Sequence, residues 1–228
     1  TNLGETYGML RGADAVVHTA AIAWAGRHAP EVTYRTNTLA HFNVLEACAG
    51  LGIRKIATAS SIQIFVQVKP YPPLEPLYFP IDEEHPIHPN TEYGLSKEAG
   101  EAANRMYARR FGISAASIRL PFIVAAERFS DNRTMADDVQ DRNFWSYIDP
   151  RDAARIFRLA IETPWDGAEA FNACAADTCS PTPTARLLER YHPSVERRKP
   201  LAEFETLIAI DKARQRLGFE PRYTWRQP

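Results

Sequence analysis

Three residues of this sequence have the types and spacing for proton and hydride chemistry at an alcohol. Tyr93 and Lys97 stand four apart in the run Tyr93-Gly94-Leu95-Ser96-Lys97, which on a helix puts both on one face. A free tyrosine ionises at about pH 10 and is a poor base at neutral pH, but a nearby ammonium stabilises the phenolate. Lowering that value by about three units takes roughly 4 kcal/mol. Lys97 can supply part of this, and a cationic nicotinamide ring can supply more. Ser61, following a separate apolar run, could hold the substrate hydroxyl. The tyrosine would then remove the hydroxyl proton while the carbon passes hydride to the nicotinamide. Alone, Tyr-x-x-x-Lys is a common accident of an amphipathic helix. It gains weight from Ser60-Ser61 after an upstream strand and from another strand downstream.

For these side chains to meet, strand ends must be brought to a helix start. Residues 13–21 read as a strand running into a small-residue loop. Apolar residues recur at helical spacing over 36–49, and Gly50 and Gly52 stop that helix. Residues 53–59 read as a second strand, with Ser60-Ser61 directly after it. The Pro-dense stretch 68–90 predicts no regular structure. Glu92–Phe111 reads as a helix ended by Gly112, and Ser114–Leu120 as a third strand closed by Pro121. Asp152 reads as the N-cap of a further helix. Ala168–Asn172 reads as a fourth strand, and Thr184–Tyr191 and Asp211–Leu217 as short helices. Buried strands alternating with helices predict an α/β fold with a parallel sheet. Such sheets bind ligands at the carboxyl ends of their strands, where His18 to Ala21, Ser60-Ser61 and Pro121 all fall.

Composition narrows the classes. The 228 residues include 45% apolar and 24% charged side chains, and 27 basic against 28 acidic groups give a net charge of −1. This is a globular mixture with no polyanion-binding bias, so no nucleic-acid partner is expected. No apolar run approaches the roughly 20 residues of a membrane span. Residues 1–10 lack the charged start and apolar stretch of a signal peptide. Cys48, Cys174 and Cys179 read as reduced thiols, and a cytoplasmic location follows as the expectation.

Taken together, the motifs resemble the extended short-chain dehydrogenases, the NAD-dependent epimerase/dehydratase family. Residues 14–21 (Asp-Ala-Val-Val-His-Thr-Ala-Ala) resemble that family's strand and His-x-Ala-Ala loop beside the cofactor. Asn37, with the run 43–47, is similar to the helix that carries the family's structural asparagine. Ser61, four residues before the aromatic Phe65, matches the catalytic Ser/Thr position. Residues 80–86 resemble the loop before the tyrosine, Arg119-Leu120-Pro121 the stretch beneath the nicotinamide, 147–154 a later helix start, and 211–221 a C-terminal signature. The resemblance implies a Rossmann-type doubly wound parallel sheet. It assigns 1–122 to a dinucleotide-binding core and 123–228 to a mixed segment with a late strand, helices and a small substrate-binding portion. It implies NAD or NADP as cofactor. Tyr93 would be the base, Lys97 its activator and Ser61 the holder of the substrate oxygen. His18, Ala20, Ala21, Asn37, Ser60 and Pro121 would join Tyr93 and Lys97 around the cofactor. A homodimer through the 36–49 and 92–111 helices is also implied.

Departures from the family pattern sharpen the expectation. The glycine-rich turn that holds the pyrophosphate is absent, so the expected sheet lacks its first strand–helix–strand unit. Ile62 and Gln63 stand where family dehydratases carry an acid pair, which argues against dehydration. The stretch between Arg119 and Asp152 is short, which favours a small substrate: a free sugar, a uronate or a related polyol. Arg128, Arg133 and Arg142 lie where substrate ligands are expected. The activity expected is hydride transfer at a secondary alcohol, by a dehydrogenase or a sugar 4-epimerase. The alternatives are a non-catalytic dinucleotide-binding regulator and a truncated remnant. His85 and His88 read as solvated loop residues with no metal expected, Cys174 and Cys179 as core thiols, residues 197–199 as a solvated basic surface, and Trp145, Tyr147 and Arg151 as structural.

Overall fold

In a computed structural model, residues 1–23, 26–65, 75–125 and 137–226 are described. Helix α1 (Leu3–Leu10) starts on Asn2, whose Oδ1 accepts from the Glu5 amide, and lies against α2. Strand β1 (Val16–His18) leads to α2 (Pro30–Leu51), which Gly52 ends in the left-handed region. Strand β2 (Lys55–Ser61) runs into a 3₁₀ turn (Ile62–Ile64), and a short β3 (Tyr78–Phe79) follows. Helix α3 (Glu92–Phe111) is capped by Thr91 and closed by Gly112, and it is followed by β4 (Ser114–Leu120) and β5 (Phe122–Ile123). Then come α4 (Asp137–Gln140), a 3₁₀ turn (Asp141–Asn143), β6 (Tyr147–Ile148), α5 (Pro150–Glu162) and β7 (Ala168–Asn172). The chain closes with α6 (Thr184–Tyr191), β8 (Glu196–Arg197) and α7 (Asp211–Leu217).

The main sheet has the order β1-β2-β4-β7 and every pairing is parallel. Its register sets Ser60 beside Arg119 and Ser61 beside Leu120. Side chains alternate between faces along a strand. Ile56 and Ala115 pack with Leu45, Cys48 and Tyr107 of α2 and α3, while Ala57 and Ala116 pack with Ile156 and Phe157 of α5. A third core gathers Phe79, Trp145, Leu187, Leu207 and Ile208 in the later part of the chain. There β3 pairs with β8 and β5 with β6. Among the described residues, no helix is long and apolar enough to cross a membrane.

Several expectations need correcting. The Pro-dense stretch is not wholly irregular: β3 forms in it because Tyr78-Phe79 finds a partner strand far along the chain. The N-cap of α5 is Asp149, whose Oδ1 accepts from the Arg151 amide at 2.8 Å. Asp152 is instead fully buried, and its Oδ2 anchors the chain end by accepting from the Arg222 and Tyr223 amides at 2.8 and 3.0 Å. His85 is buried rather than solvated; its Nε2 accepts from the Leu77 amide and its Nδ1 faces Pro86 O. Residues 197–199 are exposed, in line with the expected basic surface; on it Lys199 pairs with Glu205 at 2.7 Å and Arg198 lies over the Tyr78 ring. Helix α1 was not assigned from the sequence; it packs on α2, where the Tyr7 hydroxyl donates to Glu46 O.

Candidate active site

The carboxyl ends of β2 and β4 open onto a cavity of about 470 Å³. Ala59, Ser60, Ser61, Leu120 and Pro121 form its strand side, and Thr19, Ala21 and Ala23 come from the loop after β1. Helix α3 contributes Tyr93 and Lys97 from its first two turns. That start is fixed by two contacts. Thr91 Oγ1 accepts from the Gly94 amide at 3.0 Å. A Cβ on Gly94 would fall 2.6 Å from the Gln63 carbonyl, so only glycine lets α3 pack this close to the turn after β2.

Lys97 Nζ donates to Ala59 O at 2.7 Å and lies 5.4 Å from the Tyr93 ring centroid. Ser61 Oγ accepts from the Gln63 amide at 3.1 Å, and Ser61 hydrogen-bonds Tyr93. The cavity thus gathers a hydroxyl, a phenol and an ammonium on one wall. The charge balance differs from the sequence expectation. Burial pushes the Tyr93 phenol above its ordinary value, opposed by the Ser61 hydrogen bond, and burial pulls Lys97 down to about 8. The low-dielectric setting dominates both, because it penalises phenolate and ammonium alike.

The other expected cofactor residues divide into two sets. Ala21, Ser60 and Pro121 line the cavity, while His18, Ala20 and Asn37 do not. Asn37 is buried behind the wall: it exchanges hydrogen bonds with the Ile22 backbone and donates to Ser96 Oγ, pinning the β1 loop to α3. His18 packs edge-on against His41, and burial holds both imidazoles near 4, hence neutral. Ser60 donates to Glu101 Oε1 at 2.7 Å. That carboxylate is fully committed, since Arg119 grips it through two bonds of 2.9 and 2.8 Å with both side chains buried. Arg119 therefore points into the protein rather than toward a ligand.

Arg142 and Asn143 line the same cavity, and Arg142 is exposed. Arg128 and Arg133 lie outside the described residues. Asn143 was not singled out from the sequence, and Gln63 only as a residue that cannot do the acid–base work of dehydration; here both line the cavity, and Gln63 Nε2 donates to Asn143 Oδ1 at 3.3 Å. The chain then bends sharply, with Phe144 and Trp145 both left-handed at φ 51° and 50°. Such backbone costs about 1–2 kcal/mol per residue outside glycine, and complete or near-complete burial of both rings offsets it. Among the described residues, no group of three or more His, Cys, Asp or Glu side chains is placed to hold a metal ion.

A planar ring with an attached ribose fits this cavity. Ala21, Ala23 and Ala59 line it with small side chains, and Ser61, Tyr93 and Lys97 supply polar groups at its wall. A parallel sheet with Ser61 at the end of β2 and Tyr93 and Lys97 at the start of α3 has the arrangement of a Rossmann-type short-chain dehydrogenase/reductase of the extended kind. The chain belongs to the NAD dependent epimerase/dehydratase family, whose model matches residues 2–174. A putative UDP-glucose 4-epimerase of Methanocaldococcus jannaschii is 41% identical over 83 residues, 36% of this chain and 25% of that protein. A uronate dehydrogenase of Pseudomonas putida is 27% identical over 191 residues, 68% of this chain and 66% of that protein. The chain thus spans between a quarter and two thirds of these curated relatives. A short-chain dehydrogenase/reductase superfamily structure from Agrobacterium tumefaciens, solved with bound NAD, superposes with a TM-score of 0.73 at 21% identity, covering 98% of this chain and 79% of that one.

Proposed function

We propose that this chain is the body of an NAD(P)-dependent oxidoreductase acting at an alcohol carbon of a sugar-like substrate, a free sugar or a uronate. The observation that carries this reading is one cavity holding Ser61, Tyr93 and Lys97 together with the exposed guanidinium of Arg142. Ser61 holds the substrate oxygen and Tyr93 takes or returns its proton. Lys97, fixed to Ala59 O, stabilises the phenolate as it forms. Arg142 receives a carboxylate, for which its planar fork is suited. Ala21, Ser60 and Pro121 meet the cofactor with Tyr93 and Lys97, while Asn37 and His18 support that wall from behind. NAD or NADP, when bound, accepts or returns the hydride. On this reading residues 1–122 carry the cofactor side and 123–228 the substrate side.

Ile62 and Gln63 leave no acid pair after Ser61 for dehydration, which supports simple hydride transfer. A 4-epimerase is the second reading, favoured by the stretch shared with the M. jannaschii protein; it uses the same three residues and returns the hydride to the other face. A second copy of the chain pairs along α2 and α3, which leave Leu39, Phe42 and Leu95 exposed. The testing experiment titrates the chain with NAD and NADP by tryptophan fluorescence, then supplies D-glucuronate, D-galacturonate, free pentoses and UDP-glucose. Accumulating reduced cofactor with an acid or free sugar supports the dehydrogenase. Interconversion of UDP-sugars without net reduction supports the epimerase. A folded chain that binds cofactor yet turns over none of these overturns the proposal.

A further inference from the structure

The wall that carries Arg142 is held from outside the cavity by a histidine that the chemistry above does not use. His192 follows the last turn of α6 and is buried. Its Nδ1 is 2.6 Å from Glu75 Oε2 and its Nε2 is 2.8 Å from Asp141 Oδ1. Its ring lies against Phe79, Phe144 and Trp145, with centroids at 5.3, 5.9 and 6.0 Å. Asp141 opens the 3₁₀ turn whose next two residues, Arg142 and Asn143, line the cavity. A neutral imidazole has one N–H and one lone pair, so it can donate to only one carboxylate; two carboxylates on both ring nitrogens are satisfied only by the imidazolium.

We propose that His192 is a positioning residue for the wall formed by Arg142 and Asn143, and that its bridge between Glu75 and Asp141 makes the placement of that wall depend on pH. With both ring protons present, the bridge ties the turn to α6 and to the segment that carries Glu75. When one proton leaves, a carboxylate faces a lone pair and the tie opens on that side. Glu75, whose side chain is 47% exposed, is free to turn to solvent. The left-handed Phe144 and Trp145, which share the ring's packing, then lose part of the support that holds the bend. Among the described residues, the charged groups facing the ring are Glu75 from the segment before β3 and Asp141 from the 3₁₀ turn. On its own helix, Tyr191 stacks near Trp145 under Arg190, and the charges of Asp137 and Asp138 in α4 reach Tyr191. Burial disfavours the imidazolium, yet the two carboxylates outweigh it and hold the ring above the usual histidine range.

The inference rests on the sugar-acid reading only for the ligand of Arg142, and its test separates the two. The full chain, with ¹³C-labelled histidine and ¹⁵N backbone, is titrated from pH 5 to 9 by NMR, with His192→Gln used to assign the ring signal. The expected result is a His192 midpoint above the ordinary value of about 6.5, with the Arg142 and Asn143 amides shifting at that midpoint. Glu75→Gln, at a half-exposed position that leaves folding intact, moves both midpoints down together by about one unit. With D-glucuronate as probe and saturating NAD, the wild-type KM rises about tenfold above the midpoint while kcat changes less than twofold. A His192 midpoint at or below 6.5, or Arg142 and Asn143 amides that ignore the ring, overturns the inference. Failure of D-glucuronate as a substrate with the amide response intact removes only D-glucuronate as the ligand of Arg142 and leaves the inference about His192 standing.

Discussion

Two walls of one cavity are built by different means. The wall of Ser61, Tyr93 and Lys97 hangs on regular structure: the last residue of β2, the first two turns of α3, and a parallel register that sets Ser60-Ser61 beside Arg119-Leu120. Buried pairs such as Glu101–Arg119 lock it from behind. The wall of Arg142 and Asn143 hangs on a single 3₁₀ turn, a left-handed bend and one histidine bridge. On the proposed reading, the groups that would move protons are placed by hydrogen-bonded ladders that do not slip, whereas the groups that would choose a ligand are placed by side-chain ties that can change without disturbing the sheet.

Substitutions break this contrast at different depths. Tyr93→Phe removes the proposed proton-transfer group and should lower turnover about 10³-fold, in the range of general acid–base effects. Its melting temperature should stay near wild type, so a matching loss of stability would mean that Tyr93 is structural. Glu101→Ala strands the buried Arg119 charge and should cost about 3–5 kcal/mol in urea unfolding; a cost below about 1 kcal/mol would show that the first wall does not depend on its buried pair. Arg142→Met should raise KM for a uronate about tenfold to a hundredfold while kcat moves little, with KM for a neutral sugar unchanged. Equal losses for both substrates would remove Arg142 from carboxylate recognition.

The smallest effect is pH-linked stability through His192. Its folded pKa lies above the unfolded value, so its contribution is complete below the unfolded pKa and is lost as pH rises through the folded one. The gap in melting temperature between wild type and His192→Gln should therefore be widest near pH 6 and close toward pH 9. A gap that widens with pH would reverse the sign and deny the bridge its charge.

The first wall was legible in the sequence because its cues are local. Thr91 and Gly112 bound α3 at Glu92 and Phe111, and the Tyr-x-x-x-Lys spacing falls inside one helix. Strands β4 and β7 and helices α6 and α7 were legible for the same reason. The second wall depends on distant partners. Nothing near His192 in the chain signals Glu75 or Asp141, and Gln63 and Asn143 become neighbours only when the fold closes. Asp152 misled because a carboxylate at a helix start has two uses. The nearer cap, Asp149, precedes Pro150, and Asp152 was already committed to backbone amides about 70 residues on.

The three thiols described above have a practical consequence. Cys48, Cys174 and Cys179 are all buried, and burial raises them to about 11, 12 and 12. The thiolate is the reactive form, so maleimide dyes and spin labels will react slowly with this chain as it stands. A cysteine introduced at exposed Leu39 or Ile123 would be a selective attachment point without removing any native thiol. Labels there would report association along α2 and motion at the cavity mouth in one molecule.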